Sequence, residues 1–140
     1  MKLMGLTVIA GRPGMGVEVV AEALIARAHL SDDAYLLFDL SDDGSHIITP
    51  EEAAHFRVLQ REKSVPVILL SNLSRRTEEE VKDLAWPGES VPASTIPRKS
   101  DLPSNVYDFA DRVLLVYRES YYRVSRDGSY PCDIHWFQVK

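Results

Sequence analysis

A chain of 140 residues, 45% hydrophobic and 26% charged, has the composition of an ordinary globular domain and the length of a single one. Its formal net charge of −5 leaves no overall basic footprint for non-specific nucleic-acid binding, so contact with DNA or RNA would have to come from a local patch. The single Cys132 cannot close an intrachain disulfide and no Cys/His cluster stands at zinc spacing, which fits a reducing, cytoplasmic setting.

No stretch approaches the roughly 18 apolar residues of a membrane span, so no membrane partner is expected. The apolar run that follows Lys2 is short and diluted by Gly5 and Thr7, which argues against a secretion signal. Without repeats or low-complexity tracts, residues 1–140 are expected to form one domain.

In chain order, Leu6–Ala10 is a β-branched apolar run stopped by glycine and proline, and reads as a buried strand. From Val17 to His29 the residues Val19, Val20, Leu24, Ile25 and Ala28 recur at helical spacing, with Glu18 and Glu22 near the start, where the helix dipole favours anions. Ala34–Leu40 (AYLLFDL) reads as a second buried strand, followed by turn chemistry at 41–45. Thr49, Pro50 and Glu52 combine an N-cap, a proline at the first helical position and a capping-box glutamate, predicting a helix to about Glu62. Val65–Leu70 is a third buried strand with Pro66 near its start.

A second capping box at Thr77 and Glu80 opens a short helix to about Leu84. The four prolines from Pro87 to Pro103 rule out regular structure and make 86–103 a long internal loop. Ser104–Ala110 fits one or two helical turns and Arg112–Tyr117 a fourth buried strand. Tyr121–Ser125 and Asp133–Val139 flank Asp127 and Gly128, a hairpin signal. Strands alternating with helices predict an α/β, three-layer fold with a mainly parallel sheet and a C-terminal antiparallel hairpin.

The residues Gly11, Arg12, Pro13, Gly14, Met15 and Gly16, set between strand and helix, have the outline of a phosphate-binding loop, G-x-x-x-x-G-K-[ST]. In such a loop backbone N–H groups cradle phosphates, the lysine contacts the β- and γ-phosphates, and the hydroxyl holds magnesium. Here Val17 and Glu18 stand in place of the lysine and the hydroxyl residue. Losing the lysine removes a charge-assisted contact of about 1.5–3 kcal/mol, and the Glu18 carboxylate adds repulsion. The plainer reading is a tight strand-to-helix turn in which Glu18 offsets the helix dipole.

Three blocks in order resemble the ATPase domain of DnaB-type replicative helicases, a RecA-like P-loop fold. Leu6–Gly16 (LTVIAGRPGMG) is similar to that family's phosphate strand and loop, without its lysine. Val65–Arg75 (VPVILLSNLSR) resembles the family's V-P-V-hydrophobic-A-L-S-Q-L-N-R strand, with Asn72 in place of the glutamine that senses nucleotide and DNA. Ser100, Asp101 and Leu102, then 110–119 (ADRVLLVYRE), resemble its S-D-L-R and A-D-hydrophobic…Y-R-D/E segments.

The departures from that pattern point one way. Ser41 occupies the place of the glutamate that activates water, and the strand bearing the magnesium aspartate looks deleted; a rival alignment makes AYLLFDL that strand, with Asp39 as the metal ligand. Arg126 matches the family's arginine finger, but Val124 replaces the neighbouring lysine. The N-terminal domain through which such helicases form rings has no counterpart in this sequence.

Asp39, Asp42 and Asp43 admit a magnesium reading, although acidic residues after a strand are ordinary turn chemistry. Arg75, Arg76, Arg98 and Lys99 bracket the region resembling the helicases' DNA-contacting loops and could form a phosphate patch, with Glu78–Glu80 weakening its field. No catalytic or metal residue is assigned. What the resemblance implies is a helicase-like domain related to DNA replication, a degenerate Walker A pseudo-ATPase expected to bind a protein partner, a replicative helicase or its own copy. ATP and magnesium would bind weakly if at all. The alternatives are a small nucleotide-binding ATPase using Asp39 and Arg126, and a weak single-stranded DNA-binding module.

Overall fold

The computed structural model describes residues 3–12, 16–42, 46–73, 97–118 and 134–140. The elements run β1 (Leu6–Gly11), α1 (Val17–Arg27), β2 (Leu36–Asp39), α2 (Pro50–Lys63), β3 (Val67–Asn72), a 3-10 turn (Lys99–Asp101), α3 (Val106–Phe109), β4 (Arg112–Arg118) and β5 (Ile134–Gln138). The expected helix after Thr77, the strand Tyr121–Ser125 and the turn at Asp127 and Gly128 lie outside the described residues.

Among the described residues five strands form one mixed sheet in the order β2-β3-β1-β4-β5. The first four are parallel, and β5 pairs antiparallel with β4. The class is therefore α/β, mostly parallel, as the alternation of apolar runs and helical periods predicts. Among the described residues the antiparallel partner of β5 is β4, with Tyr117 opposite His135 and Leu115 opposite Phe137.

Successive side chains of a strand point to opposite faces, which sorts the core into two clusters. Leu6, Val8 and Ala10 of β1, Val67 and Leu69 of β3, and Val113 and Leu115 of β4 pack with Ala53 of α2 and with Val106 and Tyr107 of α3. Ile9, Ile68, Leu70, Leu114 and Val116 point the other way, onto Val17, Val20, Ala21 and Leu24 of α1. Helices thus lie on both faces; β1 and β3 are buried throughout and β4 over Val113–Val116.

Two expectations shift. AYLLFDL is an edge strand, so β2 is half-buried and Leu37 is 38% exposed. Its apolar composition resembled that of the central strands, but among the described residues it has a partner on one side only, β3. On α1 the buried stripe is Val17, Val20, Ala21 and Leu24, while Val19 faces solvent. The sequence period allows both settings, and packing against the sheet and against Ile134 and Trp136 selects the one that buries Val17.

The second helix begins as its sequence dictates. The Thr49 hydroxyl accepts from the Glu52 N–H at 3.1 Å, and the Glu52 carboxylate accepts from the Thr49 N–H at 3.0 Å. This reciprocal box satisfies two donors that a helix start leaves open, a contribution of about 1 kcal/mol.

Candidate functional site

In an open parallel sheet, ligands bind at the carboxyl ends of the strands, where connections leave in opposite directions. That reversal falls between β1 and β3, since the chain leaves β1 for β2 at one side and leaves β3, across β1, for β4 at the other. The glycine loop follows β1 at this edge. Gly11 is buried opposite Asn72 of β3 and Val116 of β4, and its carbonyl accepts from the Leu73 N–H at 3.1 Å. Pro13, Gly14 and Met15 lie outside the described residues.

Gly16 forms the N-cap of α1 with φ 85°, a left-handed conformation suited to glycine. Its carbonyl accepts from the N–H groups of Val19 and Val20. Val17, which takes the place of the lysine, is 6% exposed and belongs to the α1 core with Ile9, Leu70 and Val116. Glu18 is exposed one residue further on. A side chain at position 17 therefore packs into apolar surroundings.

Arg12 is nearly buried, and its Nη2 lies 3.5 Å from Oδ2 of Asp101, their side chains being 9% and 11% exposed. The same Asp101 oxygen accepts from the Arg98 N–H at 2.8 Å, which closes the turn that carries Lys99. Tyr107 of α3 donates its hydroxyl to the Lys99 carbonyl at 2.6 Å. Burial, together with the charge of Asp101, pushes the Tyr107 phenol up to about 12. The first and third blocks of the sequence pattern thus meet through an ion pair 89 residues apart in sequence. Distant pairs of this kind leave no local signal, and sequence reading missed it.

Asn72, opposite Gly11, is 2% exposed and spends its amide inside the protein. Its Nδ2 donates to the carbonyls of His46 at 2.9 Å and Ser41 at 3.3 Å. Ser71, beside it, accepts the Ile48 N–H at 2.9 Å and donates to the Asn72 carbonyl. The end of β3 therefore holds both flanks of the segment between β2 and α2. His46 in turn meets Glu52 at 2.7 Å. Burial raises the Glu52 carboxyl, but hydrogen bonds from the Thr49 N–H, His46 and the Thr49 hydroxyl, with the charge of His46, outweigh it and hold Glu52 below its ordinary value.

Asp39 ends β2 at the same edge of the sheet, but β3 lies between it and β1, a separation of roughly 9–10 Å at ordinary strand spacing. Its Oδ1 accepts from both the N–H and the hydroxyl of Ser41, an Asx-type turn. Ser41 thus caps the turn alongside Asp39. Among the described residues no group of three or more His, Cys, Asp or Glu side chains converges as a metal site.

Of the basic positions, Arg98 and Lys99 are exposed, and the Lys99 ammonium lies 4.9 Å from the centre of the Tyr107 ring. Arg75, Arg76 and Arg126 lie outside the described residues. Sequence reading placed Asp111 in the third block but did not foresee its contacts: it accepts from the Leu6 N–H at 2.9 Å and pairs with Arg57 of α2. Among the described residues no helix is long and apolar enough to cross a membrane. Comparison with protein-family models, curated proteins and solved structures finds no match to this chain.

Proposed function

We propose that this chain is a RecA-like, three-layer domain of the replicative-helicase kind whose phosphate loop has become a structural turn. It works by binding a protein partner in the cytoplasm, a helicase subunit or a second copy of itself, without hydrolysing ATP. The burial of Val17 carries this reading, because the position that must offer a cation to phosphate is committed to the apolar core. The internal use of the Asn72 amide supports it, since the residue at the sensor position has both donors engaged. So does the placement of the glycine loop at the central crossing point of the sheet, which suits descent from a nucleotide-binding fold.

Calorimetric titration of the protein with ATP and magnesium tests the proposal. No heat beyond dilution is expected. Micromolar binding that disappears in Arg12→Ala or Asp39→Ala would replace the proposal with a nucleotide-binding ATPase.

A further inference from the structure

Two depressions of 380 and 420 Å³ flank the short helix α3 and meet at Asp108. The first runs between α3 and the first turns of α2, with Pro50, Ala54 and Phe109 as its apolar surface and Glu51 on its wall. The second runs between α3 and the Lys99–Asp101 turn. Glu51, Ala54 and Val58 stand at i, i+3 and i+7 of α2 and so share one stripe of its surface. Val58 is 54% exposed and extends the apolar wall one turn beyond the depression.

The charges are of one sign where the two depressions join. Glu51 and Asp108 are exposed, on α2 and α3 respectively. Lys99, the cation in the lining of the second depression, lies over the Tyr107 ring. An apolar wall beside two carboxylates complements a segment that carries both apolar and basic side chains, and it repels a phosphate backbone.

From this we infer that the α2–α3 groove docks a basic, amphipathic segment of a protein partner, with an apolar side chain against Ala54, Val58 and Phe109 and arginine or lysine against Glu51 and Asp108. The inference rests on the partner-binding reading and names where, and to what chemistry, that binding occurs. In helix-in-groove recognition the bound segment supplies its anchors at i, i+3, i+4 and i+7.

The test uses the full chain and a short fluorescein-labelled peptide carrying leucine and arginine at helical spacing, followed by anisotropy and by amide shifts in ¹⁵N-labelled protein. Binding should move the amides of 51–58 and 104–109, weaken with salt, and fall about tenfold in Glu51→Gln/Asp108→Asn, as expected for two rim ion pairs. The reversal Glu51→Lys/Asp108→Lys should prefer the same peptide with glutamate in place of arginine, and Val58→Ser should weaken binding without altering its salt dependence. An arginine peptide that does not bind, that binds the neutralised variant equally, or that moves amides elsewhere overturns the inference. So does a single-stranded oligonucleotide that occupies the same groove. Failure here leaves the ATP titration untouched, and heat in that titration would remove the underlying reading while leaving the groove to be judged by the peptide, so the two failures are distinguishable.

Discussion

Ile134, the first residue of β5, packs so closely on Gly16 that a β-carbon added to the glycine would stand 2.9 Å from the Ile134 Cδ1. The C-terminal strand therefore presses on the residue that turns the glycine loop into α1. A loop kept open for a ligand has no need of such a contact, whereas a loop serving as a strand-to-helix turn gains rigidity from it.

Gly16→Ala should consequently destabilise the fold. The left-handed φ of 85° costs a non-glycine residue about 1–2 kcal/mol, with a further small cost for displacing the tip of Ile134. Urea denaturation should show a lower midpoint at unchanged slope. Pairing the change with Ile134→Val should recover the contact part and leave the backbone part.

Asn72→Asp replaces an amide donor facing two carbonyl oxygens with an acceptor, in a residue 2% exposed. A loss of about 1–3 kcal/mol is expected from the unsatisfied groups alone. Amide exchange should quicken around Ser41 and His46 more than in α1. Uniform quickening across the molecule would show that Asn72 does not clamp that segment.

Asp111 gives the fold an acid limit. Burial raises its carboxyl, but the Leu6 N–H, the Arg57 hydrogen bond and the charges of Arg57 and Lys140 bring it below the ordinary 3.8. A depressed folded pKa contributes stability that is complete above the unfolded value and is lost as the pH falls through the folded one. Glu52 adds to this in the same direction from an ordinary 4.5. The urea midpoint should therefore decline as the pH drops below about 4.5, and Asp111→Asn should flatten that decline while lowering stability at neutral pH. An unchanged acid slope in the variant would assign the limit to other carboxylates.

What was legible in the sequence was local. Thr49, Pro50 and Glu52 specify the start of α2 through contacts three residues apart, and the box forms as written. The central strands announce themselves as continuous apolar runs because both of their faces are covered. Strand order is not local, so AYLLFDL resembled a central strand yet lies at the edge. Valine at position 17 could be read from the sequence, but its burial depended on how α1 packs against the sheet, and the expected stripe included Val19 and left out Val17. The Arg12–Asp101 and Leu6–Asp111 contacts span 89 and 105 residues and have no local signature.

The most direct test installs the two phosphate-loop residues that this sequence lacks. If position 17 faces the core, Val17→Lys with Glu18→Thr buries an ammonium among Ile9, Leu70 and Val116, and should cost at least about 2 kcal/mol of stability. Titrated with ATP and magnesium, the variant should give no heat of binding. Unchanged stability together with micromolar ATP affinity would contradict the account, because it would mean that the side chain at position 17 reaches an intact phosphate cradle.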